Sequence, residues 1–105
     1  MRAFPDGFVI GGKMNGRQAR WRIQFYGKVQ FVGFRYTAKL LAVKLNLTGW
    51  VRNMPDGSVL VEAQGRTADL RQLLIRLKSR EPIHIEKAVI REISPEEGDR
   101  NFRVR

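Results

Sequence analysis

The chain has 105 residues, 43% of them hydrophobic, which is enough to bury one core and too few for a catalytic domain beside a separate regulatory one. Twenty Lys and Arg against ten Asp and Glu leave a formal charge of +10, which favours an anionic partner, and the lack of cysteine excludes disulfides, thiolate metal sites and thiol nucleophiles. No apolar run approaches a membrane-spanning length and the first residues lack the apolar stretch of a secretion signal, so the expectation is a cytoplasmic protein with no membrane partner.

The opening twenty residues carry Gly7, Gly11, Gly12 and Gly16, Pro5 and several basic residues around one short apolar patch, Phe8-Val9-Ile10. Residues 1–18 are therefore expected to form a flexible extension, and residues 19–105 the folded domain. From Arg20 onward Trp21, Ile23 and Phe25 alternate with Arg22, Gln24 and Tyr26, the period of a strand with one buried face, ending at Gly27. Ala38, Leu41, Ala42 and Leu45 then share one side of a helix over about residues 34–46. Its other side carries Leu40 and Val43 beside Lys39 and Lys44, so a monomer is expected with this face open to weak self-association.

Two strand-like runs, Gly49 to Asn53 and Ser58 to Gln64, flank Met54-Pro55-Asp56-Gly57, where proline pre-sets the turn and Gly57 supplies a positive φ. Thr67 offers a hydroxyl to cap a second helix, with Asp69 in its first turn and Leu70, Leu73, Leu74 and Leu77 along one stripe. That helix is expected to end near Ser79 to Arg80, ahead of Pro82. Ile83 to Ile93 reads as a long strand, and Phe102 to Val104 as a short last one. The order is that of an α+β, ferredoxin-like two-layer sandwich, βαββαβ with a short terminal strand, its antiparallel sheet covered on one face by two helices.

Many functions use this architecture, so the loops carry the functional reading. Residues 27–35 run from a strand into a helix N-terminus, where unpaired amides and the helix dipole attract anions. Arg35 adds a planar guanidinium that matches two phosphate oxygens.

The residues Gly27-Lys28-Val29-Gln30-Phe31-Val32-Gly33-Phe34-Arg35 resemble the acylphosphatase signature G-x-V-Q-G-V-x-F-R at every specified position except Phe31, where that family has glycine. Gly49-Trp50-Val51-Arg52-Asn53, followed by Gly57, Val59 and Gly65, is similar to the family's second signature at every specified position. The resemblance runs from about residue 20 to the last residue. It implies hydrolysis of a small-molecule acyl phosphate to a carboxylate and inorganic phosphate. It further implies that Arg35 and the amides of Gln30, Phe31, Val32, Gly33 and Phe34 bind the phosphate, that Asn53 orients the attacking water, and that no metal or organic cofactor takes part.

Other readings stand beside this one. Val29, Val32 and Phe34 suit core packing, Trp21 and Trp50 suit packing under or beside helices, and His84, far from the motifs, suits an ordinary strand position. Phe31 has two outcomes: strain if the loop needs a positive φ there, or an outward ring if it needs only space. An acylphosphatase-like module that binds anions without turnover is one alternative. An RNA-binding ferredoxin-like domain is another; the charge supports it, and the lack of any aromatic in Ser58 to Gln64 opposes it.

Overall fold

The structure, a computed structural model, describes residues 4–12 and 16–105. Strands β1 (Phe8–Gly11), β2 (Gln18–Lys28), β3 (Thr48–Asn53), β4 (Val59–Arg66), β5 (His84–Ile93) and β6 (Phe102–Val104) form one sheet in the order β1-β5-β2-β4-β3-β6. Helices α1 (Phe34–Lys44) and α2 (Thr67–Lys78) pack on it. The four central strands are antiparallel, as expected for the ferredoxin-like order, and each edge adds a parallel strand: β1 on β5 and β6 on β3.

The β1 edge corrects the expectation for residues 1–18. Phe8–Gly11 pairs with Ala88 to Arg91, the Phe8 ring lies 6.4 Å from Phe25, and Phe4 lies 6.1 Å from Trp21. A few apolar residues are enough to dock an edge strand when two aromatics reach the core beneath, even in a glycine-rich segment. Residues 1–3 and 13–15 of the expected extension lie outside the described residues.

The period-two pattern of β2 buries Ala19, Trp21, Ile23 and Phe25 against the helices, where they meet Val51, Val59, Val61, Ala63 and Ile90 from neighbouring strands. Helix α2 contributes its whole stripe, Leu70, Leu73, Leu74 and Leu77, each fully buried. Helix α1 buries Phe34, Ala38, Leu41 and Ala42 and ends on Asn46, whose φ of 58° lets Leu47 N–H reach Ala42 O at 2.8 Å. The helix α2 cap differs from expectation. Arg66 occupies the cap position, and the Thr67 hydroxyl donates to Gly16 O at 3.2 Å while its amide donates to Arg17 O at 2.8 Å, tying the helix to the chain entering β2.

The face away from the helices is polar, and Trp50 belongs to it. In register with Glu62 on β4, its ring lies under the guanidiniums of Arg105 at 4.6 Å and Arg52 at 5.7 Å, where packing under or beside a helix was expected. Arg20, 1% exposed, anchors this face. Its Nε donates to Glu62 Oε1 at 3.0 Å and its Nη1 to Asp99 Oδ2 at 2.9 Å, while Arg22 Nε donates to Glu62 Oε2 at 3.0 Å and Arg103 Nη1 to Asp99 Oδ1 at 3.2 Å. Burial alone disfavours the Glu62 carboxylate, but hydrogen bonds from Arg22 and Arg20, with the two positive charges, outweigh it and hold the carboxyl below its ordinary range. Asp99 behaves likewise: desolvation opposes its charge, and Arg20 and Arg103 prevail.

Carboxyls held below their unfolded values stabilise the fold at pH above about 4.3, and that contribution is lost as pH falls through the depressed folded values. Glu62→Gln should cost about 3 kcal/mol at pH 7 by leaving Arg20 short of a buried counter-charge. The gap between variant and natural chain should narrow as thermal unfolding is followed down toward pH 3. A gap that stays constant over that range would contradict the ionic role of Glu62.

Candidate active site

The loop between β2 and α1 is held at both ends by buried side chains. Val29 is fully buried, and Phe34, 2% exposed, packs on Phe25 with ring centroids 5.0 Å apart. Between them the Gln30 side chain crosses to the β3–β4 hairpin, where its Nε2 donates to Met54 O at 2.8 Å and to Ser58 O at 2.9 Å. The hairpin turn is itself braced: Gly57 has φ of 92°, and Asp56 Oδ1 accepts from the Ser58 amide at 2.9 Å and from its hydroxyl. Those two bonds, the hydroxyl's first, keep the exposed Asp56 carboxyl below its ordinary range.

Two residues of the loop take left-handed backbone, Phe31 with φ of 63° and Gly33 with φ of 77°. Both outcomes considered for Phe31 therefore occur together: the position does require positive φ, and the ring points outward, 97% exposed. The backbone path is kept at the cost of local strain. Gly33 is the cap residue of α1 and has no side chain to cover the helix end, and no acidic residue sits in the first turn.

Among the described residues, none of the amides of residues 30–36 makes a well-formed hydrogen bond. The first of the helical series is Thr37 N to Gly33 O at 3.0 Å. A row of free N–H groups at a helix N-terminus is a site for a phosphate-sized anion. The row borders a cleft of about 340 Å³ lined by Val29, Phe31, Gly33, Arg35 and Tyr36 and, from the sheet, Asn53 and Val104.

Arg35 and Asn53 thus meet in one cleft although 18 positions separate them by number. Arg35 is exposed, and its Nη1 donates to the main-chain oxygen of Arg105 at 3.1 Å. Asn53 is half-buried at the end of β3, and among the described residues its side-chain amide has no partner. No His, Asp or Glu is among the described residues lining the cleft, and His84 is exposed at the start of β5, in register with Lys28. Of the loop residues singled out in the sequence, Phe31, Gly33 and Phe34 line the cleft, whereas the Gln30 side chain turns to the hairpin and Val32 packs on the core.

Sequence reasoning missed the other half of the brace. Val104 lines the cleft and Arg105 meets Arg35 because β6 pairs in parallel with β3, a pairing continued by Arg105 N to Val51 O at 2.8 Å. No local pattern signals a contact across 70 positions. Tyr36 was missed as well; its place in the first turn of α1, directly after Arg35, was the available signal.

The family model for acylphosphatase matches residues 21–104. The chain belongs to the acylphosphatase family. An acylphosphatase of Clostridium acetobutylicum is 35% identical over 86 residues, covering 81% of this chain and 94% of that protein. One from Pediococcus pentosaceus is 57% identical over 53 residues, covering 50% of this chain and 59% of that protein. The crystal structure of acylphosphatase from Bacillus subtilis is similar with a TM-score of 0.76 and 33% identity, covering 82% of this chain and 97% of that one. The β1 segment lies ahead of the region matched by the family model.

The geometry at Phe31 yields a stability test. Relief of left-handed strain gains about 1–2 kcal/mol, and the larger entropy of an unfolded glycine returns about 0.5–1 of it. Phe31→Gly should therefore stabilise the chain by roughly 0.5–1 kcal/mol in urea unfolding, and Phe31→Ala, still strained, should change it by less than about 0.5 kcal/mol. A loss well above that for Phe31→Ala would mean that the ring packs on the fold.

Proposed function

We propose that this acylphosphatase-family enzyme hydrolyses the carboxyl–phosphate bond of acyl phosphates with its phosphate-binding loop, Arg35 and Asn53. The observation carrying this reading is that Phe31, Gly33, Phe34, Arg35 and Tyr36 line one cleft with Asn53, in a stretch where the amides of residues 30–36 make no well-formed hydrogen bond among the described residues. The phosphoryl oxygens accept from the loop amides and from Arg35, whose remaining N–H groups are unengaged among the described residues. Asn53 accepts a hydrogen bond from a water through its carbonyl and holds it toward phosphorus.

Water oxygen bonds to phosphorus as the bond from phosphorus to the carboxyl oxygen breaks, and the carboxylate departs with the electron pair. The water proton goes to a phosphoryl oxygen, because Asn53 has no basicity and no basic side chain lines the cleft among the described residues. A carboxylate with a pKa near 4 leaves readily, so the protein's work is to neutralise phosphoryl charge and fix the water, which three kinds of group accomplish. One chain carries every group named, so a monomer suffices. The cytoplasm is the expected location, in keeping with a chain that has no cysteine and, among the described residues, no helix long and apolar enough to cross a membrane.

Release of inorganic phosphate from benzoyl phosphate above the buffer rate tests the reading; no acceleration by a folded chain would overturn it. Arg35→Ala should lower kcat/KM about a thousandfold and weaken inhibition by inorganic phosphate. Asn53→Ala should lower kcat about a hundredfold and leave phosphate inhibition within about threefold. Full turnover by Asn53→Ala would remove its water-orienting role.

A further inference from the structure

The outward stripe of α1 is apolar. Tyr36, Leu40 and Val43 fall at i, i+4 and i+7 and are 68%, 42% and 57% exposed. Val104 of β6, 44% exposed, joins them to form a cleft of about 450 Å³ with Lys39 and Lys44 beside it. Tyr36 and Val104 are also walls of the cleft that contains Arg35 and Asn53, so the two hollows adjoin across these two side chains. Phe31, the one departure from the family signature, lines the first cleft, and its ring projects into solvent.

A phosphate bound at the loop amides leaves the substrate's other end to find its own surroundings, and the adjoining wall is hydrocarbon. We infer that this trough is an acyl-chain subsite and that the preferred substrates are acyl phosphates with unbranched apolar acyl groups of medium length, an inference that rests on the hydrolytic reading above. From Tyr36 to Val43 the helix rises about 10 Å, the reach of an acyl chain of roughly eight carbons. Laying such a chain on the stripe removes water from both surfaces, and the lysine stems border it while their ammonium groups stay wet. A small polar acyl group would leave the stripe uncovered. A second copy of the chain fits less well, because each brings a charge of +10 and presents Lys39 and Lys44 at this edge.

The test compares octanoyl phosphate, below its micelle concentration, with acetyl phosphate. The natural chain should show kcat/KM for octanoyl phosphate on the order of tenfold higher, expressed mainly in KM. Leu40→Asp and Val43→Asp, each checked for an unchanged unfolding midpoint, should bring the ratio back toward one. Equal kcat/KM for the two substrates in the natural chain would overturn the subsite and leave the hydrolytic reading standing. A preference that survives both substitutions would also overturn it, as would a concentration-dependent dimer that octanoyl phosphate does not dissociate, which would assign the stripe to a second copy. Turnover of neither substrate would overturn the hydrolytic reading and the subsite with it.

Discussion

Two segments far apart in the chain have to hold their relative positions to within a fraction of an ångström if an anion on one is to meet a water on the other. Gln30 makes that connection. Its single amide nitrogen donates to Met54 O and Ser58 O, so the loop carrying the free amides is stapled to the hairpin that carries Asn53. The staple would be useless on a floppy loop, and Val29 and Phe34, both buried, remove that freedom on either side. Backbone N–H groups that secondary structure normally absorbs are left without a well-formed partner among the described residues, on a path anchored by those side chains.

Arg35 depends on a different chain of contacts, one that begins on the opposite face of the sheet. A buried arginine is tolerable only with buried counter-charges, and Arg20 has Glu62 at 3.0 Å and Asp99 at 2.9 Å. Asp99 also receives Arg103, so the loop ahead of β6 is drawn down onto the sheet and β6 is delivered alongside β3. The strand's last contact is the one between the main chain of Arg105 and Arg35 Nη1. The ion cluster on the back of the sheet therefore helps orient the guanidinium on the front. Its own contribution to stability is a secondary matter, since buried ion pairs often do no better than apolar residues of the same volume.

The sequence revealed most of this wherever the cause was local. The two leucine-bearing stripes, the alternation in β2 and the Pro-Asp-Gly turn each announce their element by period or by turn chemistry, and the boundaries fall within a few residues. Family motifs carried Arg35 and Asn53 together before any geometry was known. What escaped was non-local. Phe4 and Phe8 look incidental until the core beneath β1 is seen. Trp50 sits on the polar face because strand pairing fixes its side, and no composition rule distinguishes that face when its charges are themselves buried. Thr67 has the chemistry of a cap, yet a competing carbonyl from Gly16 took its hydroxyl.

Phe31 shows how a signature position can change while the property that matters is retained. Glycine is the usual occupant of left-handed backbone because nothing else adopts it without cost, yet the cost for another residue is about 1–2 kcal/mol, within the reach of a domain whose loop is anchored at both ends. The anchors decide the path, and the side chain only adds strain to it. The ring stands 97% exposed, and the amides of residues 30–36 make no well-formed hydrogen bond among the described residues. The substitution therefore adds a hydrophobic edge to the cleft that Tyr36 and Val104 also line.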